Sequence, residues 1–502
     1  ILGSYPSGNT IVFFDCFALF LNSFITSICF FTLLCIVLYY NNNKFSICNF
    51  NINKPLLLCI FSDNIIMKMY ILIKRMVYKM KIAGIIVEYN PFHLGHKYHI
   101  KKTREITNAD YIVAVMSGNF MQRGTPAICD KWNRTKMALK GGVDLLVELP
   151  LCYSIRSAEY FAQASMRLLD ALGIVDNVVF GSEYGEIDSL QEISKLLITE
   201  NSYYKKRLNH YLKKGMVFPA ARKYALIDQV KLKGNDDYWN EHNLFQILNG
   251  SNNILGIEYL KAKYKYNLNL NLKTIKRIGQ DYHSQKINDN YISATSIRKY
   301  INKNKATKIK DKVPNFTYQI LDELIQNNQI PLDKNNLGIM LLAKIRKYSI
   351  NDLSTIGDIN ENLAHRIKKA AKNSGNYQQL INNLNTRSFT KTRFQRILLN
   401  ILFDLKKDIL KRHDIHGPSY LRILGVTKKG ENLLPYIDKN TKLPIIMNPS
   451  DYINDLTFNN DNLLQNSLSF DILGTDIYNL LYKNSSYRKA HKDFTKEIIK
   501  LN

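Results

Sequence analysis

Residues 84–96 read Gly84-Ile-Ile-Val-Glu-Tyr-Asn-Pro-Phe-His-Leu-Gly-His96, an apolar run that ends in a turn carrying His-x-Gly-His. Residues 81–89 are apolar and rich in β-branched side chains, which is typical of a strand covered on both faces of a parallel sheet. Asn90 and Pro91 end this strand, because proline lacks a backbone donor and restricts the residue before it. A helix is predicted over residues 97–107. The stretch therefore predicts a strand, a turn and a helix of an open α/β sheet.

His93 and His96 are the candidate catalytic residues of this turn. Ligands of open α/β sheets bind at the carboxyl ends of the strands, and helix N-termini attract phosphate. Gly95 lets a ligand approach the backbone closely. Both imidazoles could donate hydrogen bonds to a triphosphate and stabilise the charge that develops on a departing pyrophosphate. The other interpretation is two surface histidines beside a turn, and the strand–turn–helix context favours the nucleotide site.

The chain has 502 residues and a formal net charge of +27. Its length indicates two or three domains. Its charge favours a polyanionic partner, most simply nucleic acid, although an abundance of lysine along the whole chain is an alternative explanation. Of the seven cysteines, Cys129 and Cys152 lie beyond residue 79, so no disulfide framework or metal cluster is predicted there.

Residues 1–79 differ in composition from the rest of the chain. Residues 11–40 are almost continuously apolar and long enough to cross a bilayer. Three explanations are open: a membrane anchor, a disordered extension, or upstream sequence joined to the gene in error. Because the stretch from Met80 looks like a natural protein start, we favour the third, in which residues 1–79 are not part of the native protein. We then expect a cytoplasmic protein with no membrane partner.

Strands alternate with helices after the histidine turn, which predicts a doubly wound parallel sheet in the α/β class. The predicted strands are residues 110–116, 143–149, 174–180 and 272–278, and the predicted helices are residues 131–140, 157–172 and 187–214. A further helix, ending at residue 264, is predicted to follow the motif over residues 252–256. The loops over residues 117–124 and 181–183 are polar or rich in glycine. Since the carboxyl ends of parallel strands share one edge, we expect these loops and the histidine turn to form one site.

Several polar residues near the predicted strand ends have two interpretations. Ser296 and Arg298 belong to a late motif, Ile-Ser-Ala-Thr-Ser-Ile-Arg, whose hydroxyls either cap a helix or hold phosphate together with the arginine. Arg123 and Lys131 either contact phosphate or RNA, or remain solvated. Glu148 is either catalytic or the cap of the helix that follows it.

Six motifs occur in order between Glu88 and Arg298: E-Y-N-P-F-H-x-G-H, M-S-G-N-F-x-Q-R-G, G-x-D-L-x-x-E-L-P, F-G-S-E, N-N-I-L-G and S-A-T-S-I-R. This series resembles the bacterial tRNA(Met) cytidine acetate ligase family, within the nucleotidyltransferase-like, adenylate-forming superfamily. Each motif alone is weak evidence, whereas six in the same order are specific. The resemblance covers the α/β part of the chain, and the C-terminal part is compatible with it.

The resemblance implies an ATP-dependent ligase that works in two steps. Acetate and ATP would form acetyl-adenylate and pyrophosphate, and the acetyl group would then pass to N4 of the wobble cytidine of elongator tRNA(Met), forming N4-acetylcytidine. ATP is then a substrate, Mg²⁺ is expected to accompany it, and no residue is named as a metal ligand. The matching motif positions imply the following ATP-binding residues: Ile86, Val87, Glu88, Tyr89, Asn90, Pro91, Phe92, His93, Leu94, Gly95, His96, Lys97, Tyr98, His99, Gly181, Asn252, Arg277 and Ile278.

Residues 80–305 are predicted to be the ATP-binding catalytic domain of nucleotidyltransferase (HxGH) type, and residues 306–502 a basic, mainly helical, tRNA-binding domain. Helices are predicted in this second part over residues 316–326, 336–347, 361–372, 377–383, 397–405 and 471–482. Four cations just before the fifth helix could bind tRNA phosphates: Arg387, Lys391, Arg393 and Arg396. Phe389 or Phe394 would stack on a base, or both rings belong to the core. Residues 421–425, together with Lys428 and Lys429, could extend the basic surface.

Two other functions stay open at this point. An adenylyltransferase acting on a small cofactor precursor would share the histidine motif but would not need a large basic helical region. A non-catalytic ATP- and RNA-binding protein would not need both histidines and the intervening glycine. The proton acceptor of the acetyl-transfer step is left open between a histidine, a phosphate oxygen and water.

Overall fold

A computed structural model describes residues 80–232, 241–277, 292–385, 389–458 and 462–502 of the protein. Met80–Asn502 forms one compact unit. The N-terminal stretch, residues 1–79, lies outside the described residues, as do two of the predicted site residues, Ile278 and Arg387.

The strands of the described residues are β1 Ile82–Val87, β2 Tyr111–Ser117, β3 Leu145–Leu149, β4 Asn177–Ser182, β5 Asn271–Lys276, β6 Leu421–Thr427, β7 Ile445–Ile446 and β8 Ile499–Leu501. They form one sheet in the order β5-β4-β1-β2-β3-β6-β7, and β8 pairs with β6. Strands β1 to β5 pair in parallel, with Ile85 of β1 opposite Ala114 of β2. The fold is therefore the predicted α/β class with a doubly wound parallel sheet.

The central strands are buried on both faces, because they are apolar at every position instead of at alternate positions. In β2, Val113 and Val115 pack into the core on one face of the sheet, and Ile112 and Ala114 pack into the core on the other. All four side chains are fully buried. This burial on two sides is what a doubly wound sheet requires.

The helices are, in chain order, α1 Leu94–Thr107, α2 Lys131–Lys140, α3 Leu151–Ser154, α4 Ala158–Ala171, α5 Ile187–Thr199, α6 Ser202–Lys213, α7 Phe218–Leu232, α8 Glu241–Asn249, α9 Ser251–Lys265, α10 Ala294–Asn302, α11 Asn315–Gln326, α12 Lys334–Lys347, α13 Ile350–Thr355, α14 Glu361–Lys372, α15 Tyr377–Leu384, α16 Lys391–Leu402, α17 Lys407–His416, α18 Leu434–Asn440, α19 Leu463–Asn479 and α20 Lys492–Thr495. Helices α1 and α2 connect parallel strands, so each begins at the carboxyl edge of the sheet and ends at the amino edge. Among the residues that the structure describes, no helix has the length and apolarity needed to cross a membrane.

Capping side chains shift several predicted helix bounds. The predicted helix 187–214 is two helices, α5 and α6, because the Asn201 side chain accepts a hydrogen bond from the Tyr204 backbone and starts a new helix. Thr390 caps α16 in the same way, so that helix begins well before the predicted residue 397. Helices α7 and α8 lie where no helix was predicted.

Strand β6 corrects the part of the basic-surface prediction that concerns residues 421–425, whereas Lys428 and Lys429 are exposed. The strand is buried, and even its arginine, Arg422, is 3% exposed. It pairs antiparallel with β3, so the C-terminal part of the chain adds strands to the sheet that the N-terminal part begins. The domain boundary between residues 305 and 306 stays a prediction.

Candidate functional site

The His-x-Gly-His turn is a helix cap made of two histidines. His93 is the N-cap of α1, with an extended backbone at φ −141° and ψ 175°. Its Nδ1 accepts the backbone N–H of Gly95 at 3.1 Å, and its own backbone N–H donates to Nδ1 of His96 at 3.2 Å. Each imidazole therefore satisfies one backbone donor at the start of the helix, as a capping box does.

The cap also fixes the tautomer of both rings. Because each Nδ1 accepts a backbone proton, the single ring proton of a neutral histidine must lie on Nε2. The rings of His93 and His96 stack with their centroids 3.7 Å apart. Two Nε2–H donors thus lie side by side at the N-terminus of α1, where the helix dipole also favours an anion.

Burial keeps these histidines uncharged near neutral pH. It lowers the pKa of His93 to about 4, and the positive charges of Arg277 and Arg298 add to this effect. The pKa of His96 lies well below its ordinary value, first through burial and then through the neighbouring His93, Arg277 and His99. Burial and Arg277 lower the pKa of His99 to about 4. The site therefore offers neutral N–H donors instead of imidazolium ions.

The same burial predicts a loss of stability in acid. An unfolded histidine takes up a proton near pH 6.5, whereas folded His93 does so only near 4, so the unfolded state binds more protons between these values. The contribution of His93 is complete above pH 6.5 and is lost as the pH falls toward 4. We expect the free energy of unfolding, measured with urea, to fall across this window, and to fall less in His93→Asn. The control is the same substitution at an exposed histidine, His365→Asn. If the free energy of unfolding falls with pH as steeply in His93→Asn as in the wild-type protein, the assignment is wrong.

Three side chains of the predicted ATP-binding run hold the turn in place. Tyr89 has a positive φ of 46° and is 1% exposed, and Phe92 is fully buried. The Asn90 side chain accepts the backbone N–H of Ile128 at 2.7 Å. These side chains point into the protein, so their part in nucleotide binding would come from the backbone that they fix.

Arg134 of α2 is a structural member of the site that the sequence did not reveal. Its guanidinium is fully buried and donates to the backbone carbonyls of Glu88 at 2.8 Å, Ser117 at 3.0 Å and Cys129 at 3.2 Å, and also to that of Gly118. Its hydrogen bonds therefore connect the carboxyl ends of β1 and β2, next to the histidine turn. In a chain this rich in cations, nothing in the sequence separates this arginine from a surface one.

The F-G-S-E and N-N-I-L-G motifs form one structural unit. Glu183 accepts the backbone N–H of Asn252 at 3.1 Å and that of Asn253 at 2.8 Å, and so caps α9. The Asn252 side chain donates to the same carboxylate at 2.7 Å. A side chain at Gly256 would collide with the Phe180 ring, which explains the glycine of the second motif. The two motifs fix the position of α9 against the end of β4.

Gly181 and Arg277 lie at the ends of β4 and β5, next to the histidine turn. A Cβ placed on Gly181 would be 3.2 Å from Cγ of Arg277, so the glycine leaves room for the arginine stem. The backbone N–H of Arg277 donates to the Ser182 carbonyl at 2.9 Å, while its side chain is exposed. After burial, the positive charge of this guanidinium contributes to the lowered pKa of all three histidines.

The late Ile-Ser-Ala-Thr-Ser-Ile-Arg motif begins α10. Ser293 caps the helix by accepting the backbone N–H of Ser296 at 3.1 Å, which agrees with the capping interpretation of the hydroxyls. Arg298 donates to the Asn90 carbonyl at 2.6 Å and to the Thr295 hydroxyl at 3.0 Å. It therefore fastens α10 to the histidine turn, and a phosphate contact by Ser296 or Arg298 stays a prediction.

Lys131 and Glu148 belong to a buried charge cluster, which we call the β3–β6 cluster: Lys131, Glu148, Arg422 and Asp493. Lys131 donates to both Glu148 oxygens at 2.8 and 2.9 Å and to Asp493 at 2.7 Å. Arg422 lies 3.4 Å from Glu148 and also pairs with Asp493. Lys131 is thus neither solvated nor free to contact RNA, and Glu148 does not cap the helix that follows it.

The predicted RNA-binding cations lie at the start of α16. Lys391 and Arg393 are exposed and Arg396 is half-buried. Phe394 is 1% exposed and belongs to the core, which excludes it as a stacking platform. The Arg393 guanidinium already covers the Phe389 ring, 4.5 Å from its centroid. Of the two proposals for these rings, the core interpretation therefore holds for Phe394.

The loop that ends at Gly124 reaches this helix. Gly124 has a φ of +75°, and a side chain there would collide with the backbone of Gln395 and Arg396. Arg123, next to it, is exposed, and its charge acts on both Glu88 and Arg298. The loop after β2 thus connects the edge of the sheet that carries the histidines with the basic start of α16.

A parallel sheet whose first strand leads into a histidine-capped helix defines a nucleotidyltransferase of the His-x-Gly-His class. A family model described as HIGH Nucleotidyl Transferase matches residues 80–493. Two curated tRNA(Met) cytidine acetate ligases, from Halothermothrix orenii and Acetivibrio thermocellus, are each 42% identical to this chain over 84% of its length and 100% of their own. The chain belongs to the tRNA(Met) cytidine acetate ligase family, as the six motifs indicated.

Solved structures agree with this membership. The crystal structure of Thermotoga maritima TmcAL bound with alpha-thio ATP is 36% identical and superimposes with a TM-score of 0.77, covering 84% of this chain and 100% of that one. An apo form of the same protein gives a TM-score of 0.78 with the same identity and coverage. The predicted fold is therefore confirmed by sequence and by structure.

Proposed function

We propose that this protein is an ATP-dependent acetate–tRNA ligase that acts in the cytoplasm. It activates acetate as acetyl-adenylate and transfers the acetyl group to N4 of the wobble cytidine of elongator tRNA(Met). One observation carries the chemistry: the paired, neutral Nε2–H donors of His93 and His96 at the start of α1. Family membership supplies the choice of substrates.

In the first step, a carboxylate oxygen of acetate attacks the α-phosphorus of ATP and pyrophosphate leaves. Acetate is already a nucleophile, so this step needs positioning and charge stabilisation more than a base. The two Nε2–H groups donate to phosphate oxygens where negative charge grows. The exposed Arg277 guanidinium at the end of β5 adds a fixed positive charge for the same phosphates.

The ATP site of this proposal comprises the run from Ile86 to His99 together with Gly181, Asn252 and Arg277. Two arginines donate hydrogen bonds to its backbone, Arg134 to the Glu88 carbonyl and Arg298 to the Asn90 carbonyl. Among the described residues, no group of three or more His, Cys, Asp or Glu side chains could bind a metal ion. Mg²⁺ in this scheme enters with ATP and keeps ligands from phosphate and water.

The tRNA would bind across the start of α16, next to the ATP site. We name Arg123, Lys391, Arg393 and Arg396 the α16 cation group. Nearby positive charge extends further, since Lys391 and Arg298 both contribute to lowering the pKa of Lys334, after burial. Cations that face one surface attract the phosphate backbone of a nucleic acid. The packing of the loop at Gly124 against α16 supports a tRNA surface near the histidine turn, because Gln122 of the same loop donates to Glu88.

Reversal of two charges tests this surface. We expect Lys391→Glu combined with Arg393→Glu to weaken tRNA binding and to lower the slope of log K against log salt by about 1 for each lost phosphate contact. Binding would be titrated with labelled tRNA at several salt concentrations. Lys136→Glu combined with Lys140→Glu is the matched control, because both lysines are exposed on α2, which ends at the amino edge of the sheet. Equal weakening by the control would remove the case for a specific surface.

One assay separates the three candidate functions. The full-length protein is incubated with labelled acetate, ATP and total tRNA, and the label is followed on tRNA and on small molecules. Acetyl transfer to methionine tRNA alone, with acetate-dependent release of pyrophosphate, is the expected result. Adenylation of a small cofactor precursor would support the adenylyltransferase instead, and ATP binding without turnover would support the non-catalytic protein.

A further inference from the structure

Strands β1, β3 and β4 each bring a glutamate to the carboxyl edge of the sheet, and two of the three carboxylates have structural partners. Glu183 accepts the first backbone N–H groups of α9. Glu148 lies 2% exposed in the β3–β6 cluster, held by two cations. Neither carboxylate is available to accept a proton from a substrate.

Glu88 differs from both. Its Oε1 accepts the backbone N–H of Gln122 at 2.7 Å, and among the described residues no cation forms an ion pair with it. Burial raises its pKa above the ordinary glutamate value. The charges that face it oppose this rise and come from Arg134 on α2, Arg123 in the loop after β2 and Arg298 on α10.

Glu88 lies between the histidine turn and the loop after β2. The histidine turn follows it directly, and its hydrogen bond to Gln122 joins it to the loop that packs against α16. It is thus next to the histidines to which we assign the nucleotide and next to a loop that reaches the proposed RNA surface. A carboxylate at this position suits the transfer step, in which the two substrates meet.

The histidines do not compete for this role. Each Nδ1 accepts a backbone N–H, and each Nε2 carries the ring proton, so neither nitrogen of His93 or His96 has a lone pair open to the substrate. Their cap geometry makes them donors in both steps. A proton acceptor must therefore come from another group.

We propose that Glu88 is the general base of acetyl transfer, an inference that rests on the proposed function. The N4 lone pair of cytidine attacks the acetyl carbonyl carbon, and the new C–N bond forms as a proton leaves N4 for the Glu88 carboxylate. The bond between the acetyl carbon and the adenylate oxygen then breaks, and AMP departs with that electron pair. Glu88 returns its proton to solvent and the site is reset.

Glu88→Gln is the decisive variant. Glutamine keeps an oxygen that can accept the Gln122 N–H, but it accepts no proton. Because Glu88 also belongs to the proposed ATP site, acetate-dependent ATP–pyrophosphate exchange should fall, but by a much smaller factor than transfer, since the first step needs no base. Single-turnover transfer from acetyl-adenylate to bound tRNA should fall about 100-fold or more, the usual loss when a general base is removed. The wild-type transfer rate should rise with pH as Glu88 ionises. This pH-dependent rise should be absent from Glu88→Gln.

Two further measurements make the result unambiguous. Glu88→Asp keeps a carboxylate, so it should recover part of the transfer rate and the rise of that rate with pH. The second measurement is the tRNA affinity of each variant. Equal loss of exchange and transfer in Glu88→Gln, or transfer at the wild-type rate, would overturn the proposal. Absence of acetate-dependent exchange in the wild-type protein would instead refute the proposed function itself, so the two failures are distinct.

Discussion

His96→Asn is expected to lower acetate-dependent ATP–pyrophosphate exchange by about 100- to 1,000-fold, the usual loss when one donor to a developing negative charge is removed. The asparagine oxygen can still accept the His93 backbone N–H, as Nδ1 of His96 does at 3.2 Å. No atom of asparagine reaches the position of Nε2, so the phosphate donor alone is lost. Exchange of labelled pyrophosphate into ATP measures this first step directly.

Two comparisons complete this experiment. His96→Ala removes both the cap acceptor and the donor, so it should abolish adenylate formation and also destabilise α1 by about 1 kcal/mol. His365→Ala, on an exposed position of α14, should leave exchange unchanged. tRNA binding should survive in every variant, because the proposed role of the histidines is to bind the nucleotide and not the tRNA. If His96→Asn loses tRNA binding as severely as exchange, the assigned role is wrong.

Glu148→Ala is expected to lower the free energy of unfolding by about 3–5 kcal/mol, the usual cost of breaking a buried ion pair by removing one partner. The change leaves Lys131 and Arg422 to share the single carboxylate of Asp493 in a fully buried place. Lys131 would then lose two of its hydrogen bonds. Urea unfolding of the full-length protein measures the effect.

The control for Glu148→Ala is Glu323→Ala, the same substitution at an exposed position within α11. It should change stability by no more than about 0.5 kcal/mol, as ordinary surface substitutions do. A loss at Glu148 as small as that at Glu323 would show that the β3–β6 cluster does not stabilise the fold. The cluster joins α2 and β3 to β6 and α20, so its loss should loosen the C-terminal segment first.

Local patterns were enough to predict the first half of the fold. The apolar runs that became β1 to β4 and the polar turns after them are neighbours in sequence, and period and turn chemistry describe such neighbours well. The C-terminal half was harder. Residues 421–425 carry an arginine and come shortly before Lys428 and Lys429, a pattern that predicts a basic surface. The two lysines are exposed, but residues 421–425 form part of the buried strand β6.

The candidate site divides in the same way. His93, Gly95 and His96 stand within four residues of each other, and their motif predicted the nucleotide site. Arg134 could not be found in this way, because its acceptors lie 46 residues away at Glu88 and 17 away at Ser117. The roles of Glu183 and Glu148 were likewise set by distant partners.

The class of protein could be read from the sequence alone, because the six motifs keep their order and the histidine turn is a local structure. Which side chains hold the candidate site together became clear from the folded chain, because their partners are distant in sequence. Lys131 meets Asp493 across 362 residues, and burial there turns a lysine that looked available for RNA into part of the core. The chemistry of a side chain sets which contacts it can make, whereas the partners that the fold brings to it determine which contacts it makes.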